Sequence, residues 1–135
     1  MASVTDLLCW RDYNVCFVLH AAIETPAALN FMFLPGRQIR GMPAPQAYPI
    51  VRQYALLLLS SVLIAAAFAY RPTDDLTKWV AGSFSVYHLG PTVRSWNILT
   101  SSSAGWSHRW ASEAGLYFVV HVLCGIMLFI HATAG

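Results

Sequence analysis

Apolar stretches long enough to cross a bilayer alternate along the chain with short segments rich in proline and charge. Residues 15–34, 54–70, 79–98 and 114–134 form these stretches. An α-helix rises 1.5 Å per residue, so about 20 residues cross a hydrocarbon core of about 30 Å. The pattern therefore predicts an all-α, polytopic membrane protein, a bundle of four transmembrane helices that forms one domain over residues 1–135.

The four predicted spans differ in how apolar they are. The second is bracketed by Arg52 and Arg71, and two adjacent serines are its only polar interruption. The third contains Gly90, Pro91 and Arg94, which are unusual inside a lipid-exposed helix. Because it lies between two clear spans, we predict that it is a helix packed within the bundle, where small residues permit close contact.

The distribution of cationic residues predicts the orientation. The segment 35–53 is so rich in proline and glycine that we expect an irregular loop on the membrane surface. Four spans place both termini on one side. Arg11, Arg71 and Lys78 lie on that side, and Arg37, Arg40, Arg52, Arg94 and Arg109 lie on the other. Because Lys and Arg accumulate on the cytoplasmic side, the termini are predicted to be lumenal.

The composition narrows the class of protein. Apolar residues make up 57% and charged residues 10% of the chain, against about 45–50% and 25% in soluble domains. Nucleic-acid-binding proteins carry a basic patch, and a net charge of +2 is too small to predict one, so we expect no nucleic-acid partner. Cys9, Cys16 and Cys124 form no CxxC motif, so neither a disulfide framework nor a zinc site is expected. We accordingly expect no metal and no cofactor.

Ionisable side chains inside the spans are the candidates for function. Glu24 lies midway along the first span, where an unpaired carboxylate is costly, and His20 precedes it by one helical turn. When the spans alternate in direction, histidines of the third and fourth spans reach a similar depth. We therefore predict one polar pocket, which contains Glu24, His20, His88 and His121, with Ser60 and Ser61 near the same level.

A carboxyl group beside histidines can move protons near neutral pH. Glu24 is predicted to be the acid and base, with His20 as its partner. His88 or His121 would be a relay or would hold a substrate oxygen. The chemistry that this suits is isomerisation or cyclisation of a lipophilic alkene, epoxide or carbonyl compound. The residues expected to bind the substrate are Ser60, Ser61, Tyr87, Tyr117 and Asn30.

The segment HAAIE at His20–Glu24 resembles the His-x-x-x-Glu of a transmembrane helix in emopamil-binding-type sterol isomerases, which belong to the EXPERA group. This resemblance covers five residues. The segments HAAIETPAALNF and YHLGPTVRSW are also similar to short, uncharacterised integral membrane proteins of filamentous fungi. Together the resemblances imply an endoplasmic-reticulum membrane protein with a role in lipid, terpenoid or polyketide metabolism.

Two alternatives from other classes of protein stay open. A non-catalytic scaffold or binding subunit would use small residues for contacts with a membrane protein partner or with a second copy of the chain. Those residues are Gly82, Gly90, Gly115 and Gly125. A b-type haem protein would need one histidine from each of two facing helices at matched depth. The pairs that meet this condition are His88 with His121, and His20 with His131.

Overall fold

The computed structural model describes residues 9–10, 13–39, 44–101, 103 and 105–134, which are almost entirely helical. The elements are β1 (Cys9–Trp10), β2 (Tyr13–Asn14), α1 (Val15–Phe33), α2 (Tyr48–Ala69), α3 (Asp75–Ser101), α4 (Trp106–Trp110) and α5 (Glu113–Thr133). The two strands pair as a minimal antiparallel hairpin, and 3₁₀ turns at Pro35–Gln38 and Pro45–Ala47 lead into α2. The all-α prediction is confirmed for the body of the chain.

Within the described ranges, three helical segments are long and apolar enough to cross a membrane, namely Val15–Phe33, Pro45–Ala69 and Glu113–Thr133. They identify an integral membrane protein and match three of the four predicted spans. The other predicted span, 79–98, lies inside the 27-residue helix α3, but polar residues make α3 less apolar than the other three. Four spans are thus not confirmed. The orientation also stays a prediction, since Arg11 and Arg40 lie outside the described residues.

Helix α2 begins six residues earlier than the predicted span. Its first turn contains Pro49, one residue after Tyr48. The first N–H groups of a helix have no partner within the helix, so proline costs nothing at this position and its fixed φ favours the helix. The expectation of irregular structure up to residue 53 is therefore wrong for residues 48–53.

The bundle consists of two helical pairs. Helix α1 packs along α2, α3 packs along α5, and α1 also contacts α5. The apolar core joins the pairs near one end of the bundle, where Phe17 meets Phe68 and Phe84. Many large apolar side chains on the outer surface are exposed, including Phe33 at 72% and Leu57 at 68%. Such a surface fits lipid rather than water.

Close approach of α3 and α5 depends on Gly125. A Cβ atom at Gly125 would lie 3.3 Å from the Cβ atom of His88, so a larger residue would displace that side chain. The Ser85 hydroxyl donates to the Gly125 carbonyl over 2.9 Å and fixes the same contact. Gly82 faces Ala132 and Gly115 faces the Trp110 carbonyl, so these two glycines, like Gly125, lie at contacts within the chain. Gly90 faces open space instead.

The N-terminus of α3 is capped outside the predicted spans. Asp74 Oδ1 accepts from the Thr77 backbone N–H over 2.8 Å, and its Oδ2 accepts from Arg71 Nη2 over 2.6 Å. The hydrogen bond from Arg71, followed by those from Thr77, holds the pKa of the Asp74 carboxyl well below its usual range. The cap therefore stays charged and fixes the turn between α2 and α3.

Candidate functional site

Glu24 lies at the centre of a polar cluster between the two helical pairs. Its side chain is buried, and its Oε2 accepts a hydrogen bond from the Tyr87 hydroxyl over 3.1 Å. The other carboxylate oxygen, Oε1, lies 3.5 Å from His121 Nε2 and 3.8 Å from His88 Nδ1. The structure thus brings together three of the four predicted catalytic residues, each from a different helix.

A row of hydrogen bonds behind the cluster assigns the protons of two histidines. Ser61 must donate its hydroxyl hydrogen to the Leu58 carbonyl, 2.7 Å away, because a carbonyl only accepts. Ser61 Oγ then accepts from His20 Nε2–H over 3.3 Å. Neutral His20 therefore has a lone pair on Nδ1, which accepts from His88 Nε2–H over 3.0 Å. As a result, neutral His88 directs the lone pair of its Nδ1 toward Glu24.

His121 is fixed in the opposite tautomer. Its Nδ1–H donates to the backbone carbonyl of Tyr117, one turn earlier on α5, over 2.7 Å. The Nε2 atom of neutral His121 is therefore a bare acceptor, and it is the nitrogen that faces Glu24 Oε1. The two imidazoles thus present lone pairs to the same carboxylate oxygen.

The centre of the cluster consequently concentrates negative potential. Glu24 Oε1, His88 Nδ1 and His121 Nε2 all lie within 4.8 Å of one another. Both Glu24 Oε1 and His88 Nδ1 are buried, and neither has a hydrogen-bond partner in the described part of the chain. Buried polar atoms without partners are costly, and three acceptors in contact are more so. The arrangement demands a positive charge, which a proton or a metal ion can supply.

A cavity of about 790 Å³ leads to the cluster. Glu24, His121 and Tyr87 form part of its wall, together with apolar and aromatic residues such as Phe31 and Leu58. The cavity also reaches residues at the ends of helices, where Arg37, Arg94 and Glu113 contribute charge. Its size and mixed lining are typical of sites for small molecules.

Not all of the residues predicted to bind the substrate lie on the cavity wall. Tyr87, Tyr117 and Asn30 line the cavity, and Ser61 contacts His20 instead. Ser60 does not belong to the site, because its side chain is exposed and donates to the Leu56 carbonyl of its own helix. Successive residues on a helix point about 100° apart, so only one of two adjacent serines can face the bundle interior.

His20 is not a direct partner of Glu24, although the two residues lie one turn apart. It reaches the carboxylate through His88, and its ring stacks on Phe84 with centroids 4.3 Å apart. The sequence reasoning also missed Arg37 and Glu113 as part of the cavity wall. Both lie just outside the predicted spans 15–34 and 114–134, and the candidates were sought among ionisable side chains inside the spans.

No family model, curated protein or solved structure matches this chain. The resemblance of His20–Glu24 to the EXPERA group therefore stays a prediction, as does the similarity to fungal membrane proteins.

Among the described residues, two sets of side chains have the geometry to hold a metal ion. The first is Glu24, His88 and His121, and the second is His20, His88 and Cys124. His88 belongs to both sets. A further buried histidine, His131, belongs to neither set. It packs against Phe17, and within the described ranges neither of its ring nitrogens has a hydrogen-bond partner.

Proposed function

We propose that this protein is an integral membrane enzyme that isomerises or cyclises a lipophilic substrate by proton transfer. One observation carries the proposal. A buried carboxyl oxygen and an imidazole nitrogen, Glu24 Oε1 and His121 Nε2, lie 3.5 Å apart on the wall of a cavity that apolar, aromatic and charged residues line. A proton held by this pair makes one member the donor and the other the acceptor, which suits acid–base chemistry on a molecule dissolved in lipid.

In an isomerisation, one substrate carbon gains a proton and another loses one. We propose that the pair of Glu24 and His121 makes both transfers, so that it begins and ends in the same protonation state. The electron pair of the old double bond forms the new C–H bond, and the electron pair of the broken C–H bond forms the new double bond. Tyr87, which donates to Glu24 Oε2, holds the carboxylate in place during both transfers.

The substrate class follows from the cavity wall. Phe31, Tyr54 and Leu58 offer apolar contact, which a sterol-, terpenoid- or polyketide-like skeleton would fill. Asn30 lies on the same wall, and its side-chain oxygen has no hydrogen-bond partner among the described residues. That oxygen would accept from a substrate hydroxyl group. An endoplasmic-reticulum location with lumenal termini belongs to the same proposal and is supported by the sequence resemblance and the charge count alone.

The row Ser61, His20 and His88 fits a proton relay behind the reacting pair. When His88 takes a proton on Nδ1, it can pass the proton of Nε2 to His20 Nδ1 along their 3.0 Å contact. The extra charge is then shared by two buried rings instead of one. This arrangement gives His20 a role although it does not touch Glu24.

The geometry does not favour bis-histidine haem. The ring centroids of His88 and His121 are 5.4 Å apart, and the Glu24 carboxylate approaches both rings. Glu24 Oε1 thus approaches one nitrogen of each ring that would have to ligate the haem iron. In the other predicted pair, His20 hydrogen-bonds to His88 and His131 packs on Phe17.

Deuterium incorporation tests the proposed activity even while the substrate is unidentified. Membranes that contain the protein would be incubated in D₂O with a lipid extract, and products would be analysed by mass spectrometry. Because the proton added to carbon comes from groups that exchange with solvent, the expected product carries one non-exchangeable deuterium. Glu24→Gln removes the carboxylate and keeps its shape, so it should reduce the labelled product at least 100-fold, within the range for general acid–base catalysis.

Ser60→Ala is the matched control, because Ser60 faces away from the cavity. It should leave labelling at the wild-type level. Equal labelling by wild type and Glu24→Gln would contradict the proposal. A scaffold would give a different result: no labelled product with wild type, and the same membrane partners bound by Glu24→Gln as by wild type. That result would also contradict the proposal.

A further inference from the structure

We infer that Glu24 Oε1, His88 Nδ1 and His121 Nε2 bind a divalent transition-metal ion, with zinc the ion that fits best. The donors are one carboxylate and two neutral imidazoles, the set that catalytic zinc sites use with an open fourth position. The inference concerns the same side chains as the proposed function, and a bound ion would occupy the lone pairs that the proposed proton transfer uses, so that transfer belongs to the metal-free protein.

The spacing of the three atoms fits a shared ion. Zinc lies about 2.0–2.2 Å from imidazole nitrogen and carboxylate oxygen, so two ligands of a tetrahedral site are about 3.4 Å apart. Glu24 Oε1 lies 3.5 Å from His121 Nε2 and 3.8 Å from His88 Nδ1. Shifts of a few tenths of an ångström would therefore complete the site, and rotation of these side chains supplies them.

The orientation of the lone pairs favours an ion over a shared proton. In the neutral imidazoles, the hydrogen bonds to His20 and to the Tyr117 carbonyl place the proton on the remote nitrogen, so His88 Nδ1 and His121 Nε2 have the free lone pairs that bind metal. One proton can bridge Glu24 Oε1 to only one of the two imidazoles. It would leave the other lone pair buried against a carboxyl group. A single metal ion accepts all three lone pairs.

The surrounding hydrogen bonds are those that metal ligands require. His88 donates its remote N–H to His20, His121 donates its remote N–H to Tyr117, and Glu24 accepts from Tyr87 on the oxygen that faces away. Such outer partners fix the tautomer and the ring orientation of metal ligands. Each of the three ligands therefore has its own supporting contact before any ion binds.

The competing set of His20, His88 and Cys124 is less suitable. Its three donors include no carboxylate, and an ion there would break the 3.0 Å hydrogen bond between His20 and His88. It also lies behind the cavity wall, since none of its members lines the cavity. The set with Glu24 retains that hydrogen bond and leaves a coordination position toward the cavity, where a water molecule or a substrate oxygen can bind.

Titration with Zn²⁺ and Co²⁺ tests the inference. The full chain would be purified in detergent through a tag without histidine, stripped with a chelator and dialysed. We expect one ion per chain, and with Co²⁺ an intense visible band typical of low coordination number. Glu24→Gln and His121→Asn each remove a ligand and should weaken binding by more than 100-fold, whereas His20→Phe should weaken it about 10–100-fold, as loss of an outer partner does.

Controls separate this site from the alternatives. His131→Asn changes a buried histidine outside the cluster and should leave affinity unchanged, as should Cys124→Ala. Loss of zinc binding in Cys124→Ala would overturn the assignment of the site to Glu24, His88 and His121. So would a wild-type protein that has native helical content and does not bind one ion per chain. Metal binding by a protein that gives no deuterium labelling in the presence of a chelator would refute only the proposed activity. Deuterium labelling by a protein that binds no metal would refute only this inference.

Discussion

Replacement of His88 by leucine is expected to lower the free energy of unfolding by about 2–4 kcal/mol, within the range for disruption of a buried polar or ionic pair. Leucine has nearly the volume of histidine, so packing changes little. His20 Nδ1 loses its donor, and Glu24 loses one of the two imidazoles that face it. Hydrogen bonds between membrane helices are worth only about 0.6 kcal/mol on average. A larger loss therefore reports the cost of leaving His20 Nδ1 buried without a donor.

A double-mutant cycle tests whether the His88 imidazole and the Glu24 carboxylate interact. Unfolding by SDS, monitored by circular dichroism in the presence of a chelator, would give unfolding free energies for His88→Leu, Glu24→Gln and the double variant. Because the two side chains share one cluster, we expect them to be coupled by about 0.5–3 kcal/mol, as directly interacting residues are. Additive effects would show that the carboxylate and the imidazole do not interact.

His131→Leu is the matched control for this experiment. His131 is also buried, but neither of its ring nitrogens has a hydrogen-bond partner in the part of the chain that the structure describes. An apolar residue of similar volume removes that desolvation cost, so the variant should be as stable as wild type or more stable. A loss as large as that of His88→Leu would mean that any buried histidine contributes equally.

The second large effect is expected for Asn14→Asp. The Asn14 side chain is buried and donates from Nδ2 to the carbonyls of Phe68, over 3.1 Å, and Arg71, over 2.6 Å. Its Oδ1 accepts from the Thr73 hydroxyl. A carboxylate of the same shape would place a charged acceptor against two carbonyl oxygens. We expect a loss of about 2–4 kcal/mol, in the range for buried polar groups without compensation.

This destabilisation should depend on pH. Burial and the two carbonyls favour the neutral form of the introduced carboxyl group and raise its pKa in the folded state. Stability is then retained below the pKa of the unfolded state and lost as the pH rises through the raised value. Asn97→Asp, on an exposed part of α3, is the control and should show little change. Equal losses for the two variants would contradict the role of Asn14.

The sequence predicts how deep in the membrane a side chain lies better than it predicts toward which side of its helix the side chain points. The rise per residue placed Glu24, His88 and His121 at a similar level, and the structure brings them into one cluster. The same reasoning could not distinguish Ser60 from Ser61, because which side of α2 faces inward depends on its packing against α1. Direction around the axis is set by tertiary contacts that hydropathy does not encode.

The candidate metal site could not be predicted from spacing. Local motifs identify ligands that lie a few residues apart on one element. Here the three ligands are separated by 64 and 33 residues along the chain, as their numbers show, and they meet only after three helices pack. The absence of a CxxC motif, which favoured no metal, is uninformative for a site of this kind. The tautomers that prepare the ligands likewise depend on tertiary contacts with Ser61 and His20.

The protonation pattern at the cluster is tested most directly by ¹⁵N NMR of the protein labelled at histidine, in lipid bilayers without metal and at mildly alkaline pH. Single substitutions of the histidines would assign the signals. The predicted result is a proton on Nε2 of His88 and on Nδ1 of His121, with addition of Zn²⁺ shifting the unprotonated nitrogen of each ring. Protonation of His88 Nδ1 or of His121 Nε2 under these conditions would contradict the arrangement of two lone pairs around Glu24.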